Sequence, residues 1–281
     1  MKYIISVCLM LFMISCDKKD KEIVVAEAKT QLNVSYGSNT HQTFDMYLPA
    51  NRSTAQTRVI ILIHGGGWTG GDKKDFTPAI AAIQQHLPGH AIVNMNYRLV
   101  DQNNKMLPNQ TDDIHAVINY FVQNAGELAI KPEFVLCGVS AGGHLSMLYA
   151  YKFDAAHRVK AVANIVGPTN LADTYYSSNP QYAVSLQHIT DASSLPAGMT
   201  APVYASPVTW VSASSAPTIS FFGKLDLLVP VSQKTILDQK LNEFKVKNES
   251  HLYNGGHEIG GTYISDIFSK LKTFLSVTVN I

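Results

Sequence analysis

Cysteine is nearly absent: Cys8, Cys16 and Cys137 are the three in 281 residues. Without a cysteine framework the chain must be held by its core, and with 46% hydrophobic residues it is long enough to build one in a single large domain. Excess charge is absent as well. The formal net charge is +1 at pH 7, and the sequence has no stripe of Lys and Arg, no basic amphipathic helix and no zinc-knuckle spacing. Those absences argue against nucleic acid as a partner. There is no His-Glu-x-x-His and no clustered Cys/His pattern, so no metal or other cofactor is expected. Low-complexity tracts and internal repeats are missing too.

The N-terminus differs from the rest. MKYIISVCLMLFMISC (1–16) places a lysine before an apolar run that is too short to cross a membrane comfortably and suits the core of a signal peptide. Ile14-Ser15-Cys16 resembles a bacterial lipobox, which implies cleavage before Cys16 and lipid on that cysteine. Residues 1–15 are then expected to be the signal, 16–30 a polar tether opening with DKKDKE (17–22), and 31–281 the folded domain. The acidic and lysine-rich residues after Cys16 resemble the surface-export signals of Bacteroidetes lipoproteins. The implied location is extracytoplasmic, on the outer membrane or cell surface, with a lipid anchor at Cys16. With Cys8 removed and Cys16 acylated, Cys137 would have no partner for a disulfide.

QLNVSYG (31–37) and HQTFDMYLP (41–49) alternate polar and apolar residues around a small polar turn, which predicts an antiparallel hairpin at a sheet edge. From residue 58 the texture changes to short continuous apolar runs: RVIILI (58–63), AIVNMNY (91–97), FVLCGV (134–139), VKAVANIVG (159–167) and TISFFG (218–223). Runs of this kind suit strands buried on both faces of a parallel sheet. HLYNG (251–255) would be a last, short strand. Helix-like stretches fall near 76–87, 111–125, 141–152, 231–245 and 261–275. The alternation predicts an α/β fold, a doubly wound and mostly parallel sheet with an antiparallel N-terminal hairpin. Residues 168–216 interrupt it. Connections in such folds are normally about two to six residues, so an insertion this long before the TISFFG strand is expected to act as a lid or pocket wall. Tyr175, Tyr176, Tyr182 and Trp210 lie in it, either lining a pocket or packing the insertion onto the body.

Gly138-Val139-Ser140-Ala141-Gly142 fits G-x-S-x-G between a predicted strand and a predicted helix, which would set the Ser140 hydroxyl on a sharp turn above the sheet. A serine needs a general base, and the base an orienting acid. In the order Ser, acid, His, the chain offers Asp226 just past TISFFG and His257 in the Gly-flanked loop after HLYNG. Both sit at C-terminal strand ends, where α/β sheets collect their ligands. Asp238 lies inside a predicted helix, and Glu258 adjoins His257 too closely to orient it. His64 and His144 are expected to brace loops. HGGGWTGG (64–71) fits neither G-x-G-x-x-G opening a helix nor a P-loop, since Lys73 is followed by Lys74.

With these residues assembled, the chain resembles the α/β-hydrolase superfamily. It is most like the small esterase branch that includes bacterial feruloyl and acetyl esterases, hormone-sensitive-lipase-like esterases and kynurenine formamidases. HGGGWTGGDK (64–73), NYRL (96–99), GVSAGGHL (138–145), YASPVTWVSASSAPT (204–218), GKLDLLVP (223–230) and NGGHEIG (254–260) carry the likeness, across roughly residues 30 to 276. It implies Ser140 as nucleophile, His257 as base and Asp226 as orienting acid. The oxyanion hole would be the N–H groups of Gly66, Gly67 and Ala141. The acid motif is often G-D-x-D in this branch and here reads Gly223-Lys224-Leu225-Asp226, so the first acid is lost and the second kept. Trp68, Tyr175, Tyr176 and Trp210 are expected around the substrate. The expected activity is serine-dependent hydrolysis of a small or carbohydrate ester, with acetyl or feruloyl esters of plant polysaccharides fitting the resemblance and location best. An arylformamidase-like amide hydrolase is the alternative, and a non-catalytic glycan-binding lipoprotein a more distant one.

Overall fold

The computed structural model describes residues 26–279 apart from 180, 181, 183–185, 187 and 188. The signal, Cys16 and the first part of the tether lie outside these residues. Eight strands form one sheet: β1 (Lys29–Ser35), β2 (Thr43–Leu48), β3 (Val59–Ile63), β4 (Ala91–Met95), β5 (Phe134–Val139), β6 (Val159–Ile165), β7 (Thr218–Gly223) and β8 (Asn248–Tyr253). Their order is β1-β2-β4-β3-β5-β6-β7-β8. The first two pairings, β1 with β2 and β2 with β4, are antiparallel, and from β4 onward the sheet is parallel. After β3 the chain steps outward to β4, then returns to β3's other side with β5. Strand order therefore reverses around β3, and the crevice at such a reversal is where open α/β sheets bind ligands. Ile63 pairs with Gly138, so the chain leaves β3 and β5 at the same level.

Period-two alternation divides the core between the two faces of the sheet. Ile61 and Ile63 point to one face, against Ile114, Val117, Ile118 and Phe121 of α2 (Asn109–Gln123), Leu145 of α3 (Ala141–Leu148) and Leu237 and Leu241 of α4 (Val231–Glu243). Ile60 and Leu62 point to the other, against Ile80 and Ile83 of α1 (Ile80–His86) and Ile267, Phe268, Leu271, Phe274 and Leu275 of α5 (Ile264–Thr278). The i, i+3, i+4, i+7 spacing in α2 puts its apolar residues on one stripe. Each such side chain, fully buried, contributes about 1.5–3 kcal/mol.

Several boundaries depart from the sequence reading. The tether stops short of residue 30, because Lys29 and Thr30 already pair with Leu48 and Tyr47. β8 begins at Asn248 rather than His251, and its polar Asn248, Glu249 and Ser250 pair with Thr218, Ile219 and Ser220. Edge strands of this kind are held by backbone hydrogen bonds and need no apolar run. The helix expected over 76–87 opens as a 3-10 turn, Lys73–Ala79, capped by Asp72, whose side chain accepts from Lys74 N–H. The helix expected to reach residue 152 is α-helical to Leu148 and closes with a π turn, Tyr149–Phe153.

Residues 166–217 connect β6 to β7 with short helices at Thr174–Ser177 and Ala201–Tyr204 and 3-10 turns at Ala192–Ser194 and Pro207–Trp210. Backbone bonds Leu107 N–H to Ile189 O (2.9 Å) and Asp191 N–H to Leu107 O (3.2 Å) tie this connection to the body. Fully buried Gln233 of α4 accepts the N–H groups of Thr169 and Asn170, each at 2.8 Å.

Candidate active site

Between β5 and α3 the chain turns through Ser140 at φ 55°, ψ −119°, a conformation that strains a residue with a side chain. Two hydrogen bonds hold it: Ser140 N–H to Ile165 O (2.8 Å) and His144 N–H to Ser140 O (3.0 Å). The turn also needs glycine on both sides. A Cβ at Gly138 would lie 2.2 Å from Gly142 O, and one at Gly142 would lie 2.0 Å from Ile63 O. The elbow is thus pressed directly onto the end of β3. The consequence is a half-buried Ser140 hydroxyl raised above the carboxyl ends of the strands.

The loops after β7 and β8 bring two side chains to it. His257 Nε2 lies 2.8 Å from Ser140 Oγ, and His257 Nδ1 lies 2.7 Å from Asp226 Oδ2. A carboxylate can only accept, so Nδ1 carries the imidazole proton and bare Nε2 receives the serine O–H. The other oxygen of Asp226, Oδ1, accepts the N–H groups of Leu228 (2.8 Å) and Val229 (2.9 Å). With 5% of its surface exposed, Asp226 is buried but has a partner for each oxygen. Glu258 turns away from the imidazole and accepts Gly256 N–H at 3.1 Å, while Asp238 pairs with Lys234 (2.7 Å) far along α4.

The glycine loop stands against the elbow: a Cβ on Gly65 would meet Val139 O at 3.1 Å and Ser140 Cβ at 3.2 Å. Gly66 O accepts from Thr69 and Gly70 N–H, and among the described residues neither Gly66 nor Gly67 N–H donates to a backbone carbonyl. Gly66 lines one cleft with Ser140, and Gly67 and Ala141, the first residue of α3, line another with it, so all three expected donors belong to residues beside the nucleophile. Tyr97 of the NYRL segment braces the loop from below. Its ring stacks on His64 at 4.2 Å, and its hydroxyl donates to His64 O at 3.0 Å.

Two clefts meet at Ser140 and His257. One, of about 210 Å³, is walled by Trp68, Leu171, Tyr176, Tyr182 and Leu186, so the β6–β7 connection does form a pocket wall. The other, of about 510 Å³, runs beneath Asp75, Phe76, Glu258 and Ile264. Trp68 sits at φ +64°, again uncommon for a non-glycine residue. Its carbonyl accepts from Val100 N–H and Gln110 Nε2, both at 2.9 Å. Its indole N–H donates to His144 Nδ1 at 3.3 Å. His144 can receive it because its own proton is on Nε2, donated to Ala205 O at 2.7 Å. His144 is thus the strut between Trp68 and the insertion.

Two expected pocket residues are corrected. Trp210 lines neither cleft; its indole donates to Tyr204 O (2.8 Å) and its face is covered by the Lys152 ammonium, 3.2 Å from the ring centre. Trp210 therefore packs the insertion onto π-turn Lys152, which a cation–π contact stabilises. Tyr175 also lines neither cleft, because its hydroxyl is drawn to Leu227 O and its ring packs behind Tyr176 and Tyr182. Tyr182, one of the aromatics the sequence marks in the insertion, does line the smaller cleft, while Leu171 and Leu186 carry no pattern that marks them and Tyr97 is visible only as part of NYRL.

Burial pushes the His144 imidazole down to about 4. Between that value and the ordinary 6.5 the unfolded chain binds a proton that the native one refuses, so stability falls as pH drops through this window. The shift corresponds to about 3 kcal/mol once pH is below both values. Thermal melts from pH 7 to 4 are expected to show a steep loss of Tm, and His144→Gln should flatten that slope; an unchanged slope would remove His144 as its source.

Residues 44–241 match the family described as BD-FAE. The "Probable carboxylic ester hydrolase LipM" of Mycobacterium tuberculosis is 29% identical over 64% of this chain and 44% of its own length. The "Kynurenine formamidase" of Salmo salar is 28% identical over 43% of this chain and 38% of its own. This chain thus spans less than half the length of these curated relatives. A solved structure titled "Truncated form of carbohydrate esterase from gut microbiota" superposes with a TM-score of 0.74 at 23% identity, covering 90% of this chain and 97% of that one. The last likeness is one of fold.

Proposed function

The chain belongs to the BD-FAE family, and from that premise we propose that it is a serine carboxylic-ester hydrolase that works through an acyl-enzyme. The observation that carries this reading is the unbroken hydrogen-bond chain from Ser140 through His257 to Asp226 beside unengaged backbone N–H groups. His257 Nε2 takes the proton of Ser140 as Oγ attacks the ester carbonyl. Negative charge then develops on the carbonyl oxygen, where Gly66, Gly67 and Ala141 N–H groups stabilise it, one such donor contributing about 3 kcal/mol. Protonated His257 gives its proton to the departing alcohol oxygen. The same imidazole then activates water, which releases the acid and restores Ser140. Asp226, fixed by Leu228 and Val229, keeps the proton on Nδ1 throughout.

Acetyl or feruloyl esters of plant polysaccharides are the proposed substrates. The aromatic walls of the smaller cleft, Trp68, Tyr176 and Tyr182, support an aromatic acyl group there. A relative named for a formamide supports the amide alternative, since the same attack cleaves an amide. Rates on methyl ferulate, acetylated xylan and N-formylkynurenine separate these: highest kcat/KM on the first two is expected, and activity confined to the third would overturn the ester reading.

We further propose that the protein is held outside the cytoplasm by lipid on Cys16, a reading supported by the apolar run and Ile14-Ser15-Cys16. Fatty-acid labelling in a bacterial host should mark the protein and be lost in Cys16→Ser; equal labelling of both would reject the anchor.

A further inference from the structure

The two clefts at Ser140 differ in what they can offer a ligand. The smaller one has no charged side chain among its lining residues apart from the reacting His257, and its walls are aromatic and aliphatic. The larger one contains two exposed carboxylates, Asp75 and Glu258, and no Lys or Arg among the residues that line it. Both carboxylates are fixed in place. Asp75 Oδ2 accepts Asp72 N–H at 3.2 Å within the cap of the 3-10 turn, and Glu258 Oε1 accepts Gly256 N–H. The backbone N–H groups of Glu258 itself and of Gly256 hold the Glu258 carboxyl below its usual range, so it is charged at neutral pH. His64, 1% exposed, lines the same cleft. Its Nδ1 donates to Gly65 O at 2.7 Å, which leaves Nε2 a bare acceptor with no partner among the described residues. His64 Nε2 is itself buried, so apart from the reacting Ser140 and His257 the polar side chains that open onto the cleft are the two carboxylates, both acceptors. The remaining walls, Phe76, Pro78, Val139 and Ile264, are apolar and focus the field of the carboxylates.

We infer that this cleft holds the alcohol half of the ester, and that its lining, in which both charged side chains outside the triad are carboxylates, selects neutral, hydroxyl-rich alcohols and rejects anionic ones. This rests on the ester-hydrolase reading above. The assignment of halves follows from the chemistry. His257 must deliver its proton to the leaving oxygen, and the residues that follow it, Glu258, Gly260 and Gly261, line this cleft and not the other. A saccharide that continues beyond the scissile bond also needs the wider of the two, about 510 Å³ against about 210 Å³. Sugar hydroxyls would donate to Asp75 and Glu258, each a charge-assisted bond. A uronic acid or phosphorylated sugar would instead bring a negative charge beside two others.

The test compares acetyl esters of a neutral hexoside and of the matching hexuronate, and separately a neutral and a carboxylated acyl group on one alcohol. The expected result is a kcat/KM about tenfold or more higher for the neutral alcohol, a gap that narrows at 1 M salt as the field is screened. In the double variant Asp75→Asn/Glu258→Gln, which keeps an acceptor oxygen at each site, the gap should close chiefly through KM. Equal rates on the two alcohols, or a gap indifferent to salt, would overturn the inference. A penalty that appears only for the carboxylated acyl group would reverse the assignment of the two clefts and overturn it as well. Hydrolysis of none of these esters would sink the esterase reading itself, an outcome distinct from hydrolysis without discrimination.

Discussion

Ser140→Ala should lower kcat on an activated acetyl ester by about four orders of magnitude or more, with little change in KM. The size follows from the covalent step: without Oγ no acyl-enzyme forms, and His257 can act only on water that nothing positions. Backbone donors at Gly66, Gly67 and Ala141 remain in the variant, so a residual rate above that in water is expected. Because the three side chains act as a unit, His257→Ala should cost a similar factor and the double variant little more than either alone. Folding is not at issue, since alanine adds no volume at an elbow whose clearance is set by Gly138 and Gly142. A fluorophosphonate probe should label the wild type at Ser140 and leave Ser140→Ala unmarked. Full activity or unchanged labelling in the variant would remove Ser140 from the chemistry, and a wild type that the probe never marks would favour a binding protein.

Asp226→Asn should be nearly as damaging, about four orders of magnitude in kcat, although it changes one atom. The reason lies in the two N–H groups on Oδ1. Leu228 and Val229 both donate to that oxygen, at 2.8 and 2.9 Å, so the carboxamide must turn its own oxygen toward them. Its NH2 then faces His257 Nδ1, which can pair with it only as an acceptor. The imidazole proton moves to Nε2, and the nitrogen 2.8 Å from Ser140 Oγ becomes a donor that cannot remove the serine proton. The triad keeps its shape and loses its base. Near-normal thermal stability together with the collapse in kcat is the expected signature. A loss below about tenfold would show that Asp226 merely fills space, a role the conservative amide would preserve.

How much of this was legible in the sequence depended on whether the information was local. The parallel strands announce themselves because a strand buried on both faces must be apolar at every position, as VIILI (59–63) is. β1 and the start of β8 are edge segments whose polar side chains are mostly exposed or half-buried, so apolarity placed their ends wrongly by two or three residues. Ser140, Asp226 and His257 could be found because each sits at a strand end in a set chain order, a constraint that survives in one dimension. Trp68 and Trp210 could not be told apart in that way. What sends Trp210 into packing is Lys152, which approaches from the far end of α3's π turn, and what aims Trp68 is a histidine 76 residues away. Lys73 is a similar case. In the sequence it serves only to rule out a P-loop, yet it is 4% exposed and its ammonium lies 2.5 Å from Asp45 on β2. Partners that distant leave no local mark.

The absence of clearance between Gly142 and the carbonyl of Ile63 has a mechanical consequence. The serine and the loop that follows β3 share one mount, with no compressible side chain between them. When the sheet flexes, nucleophile and backbone donors travel together, and the separation on which transition-state stabilisation depends is kept constant without any bond dedicated to it. The pocket wall, by contrast, hangs from a different strand and a few hydrogen bonds to Leu107, Gln233 and His144. Divergence can therefore rebuild the wall, and with it the proposed acyl pocket, while the geometry around Ser140 keeps its calibration.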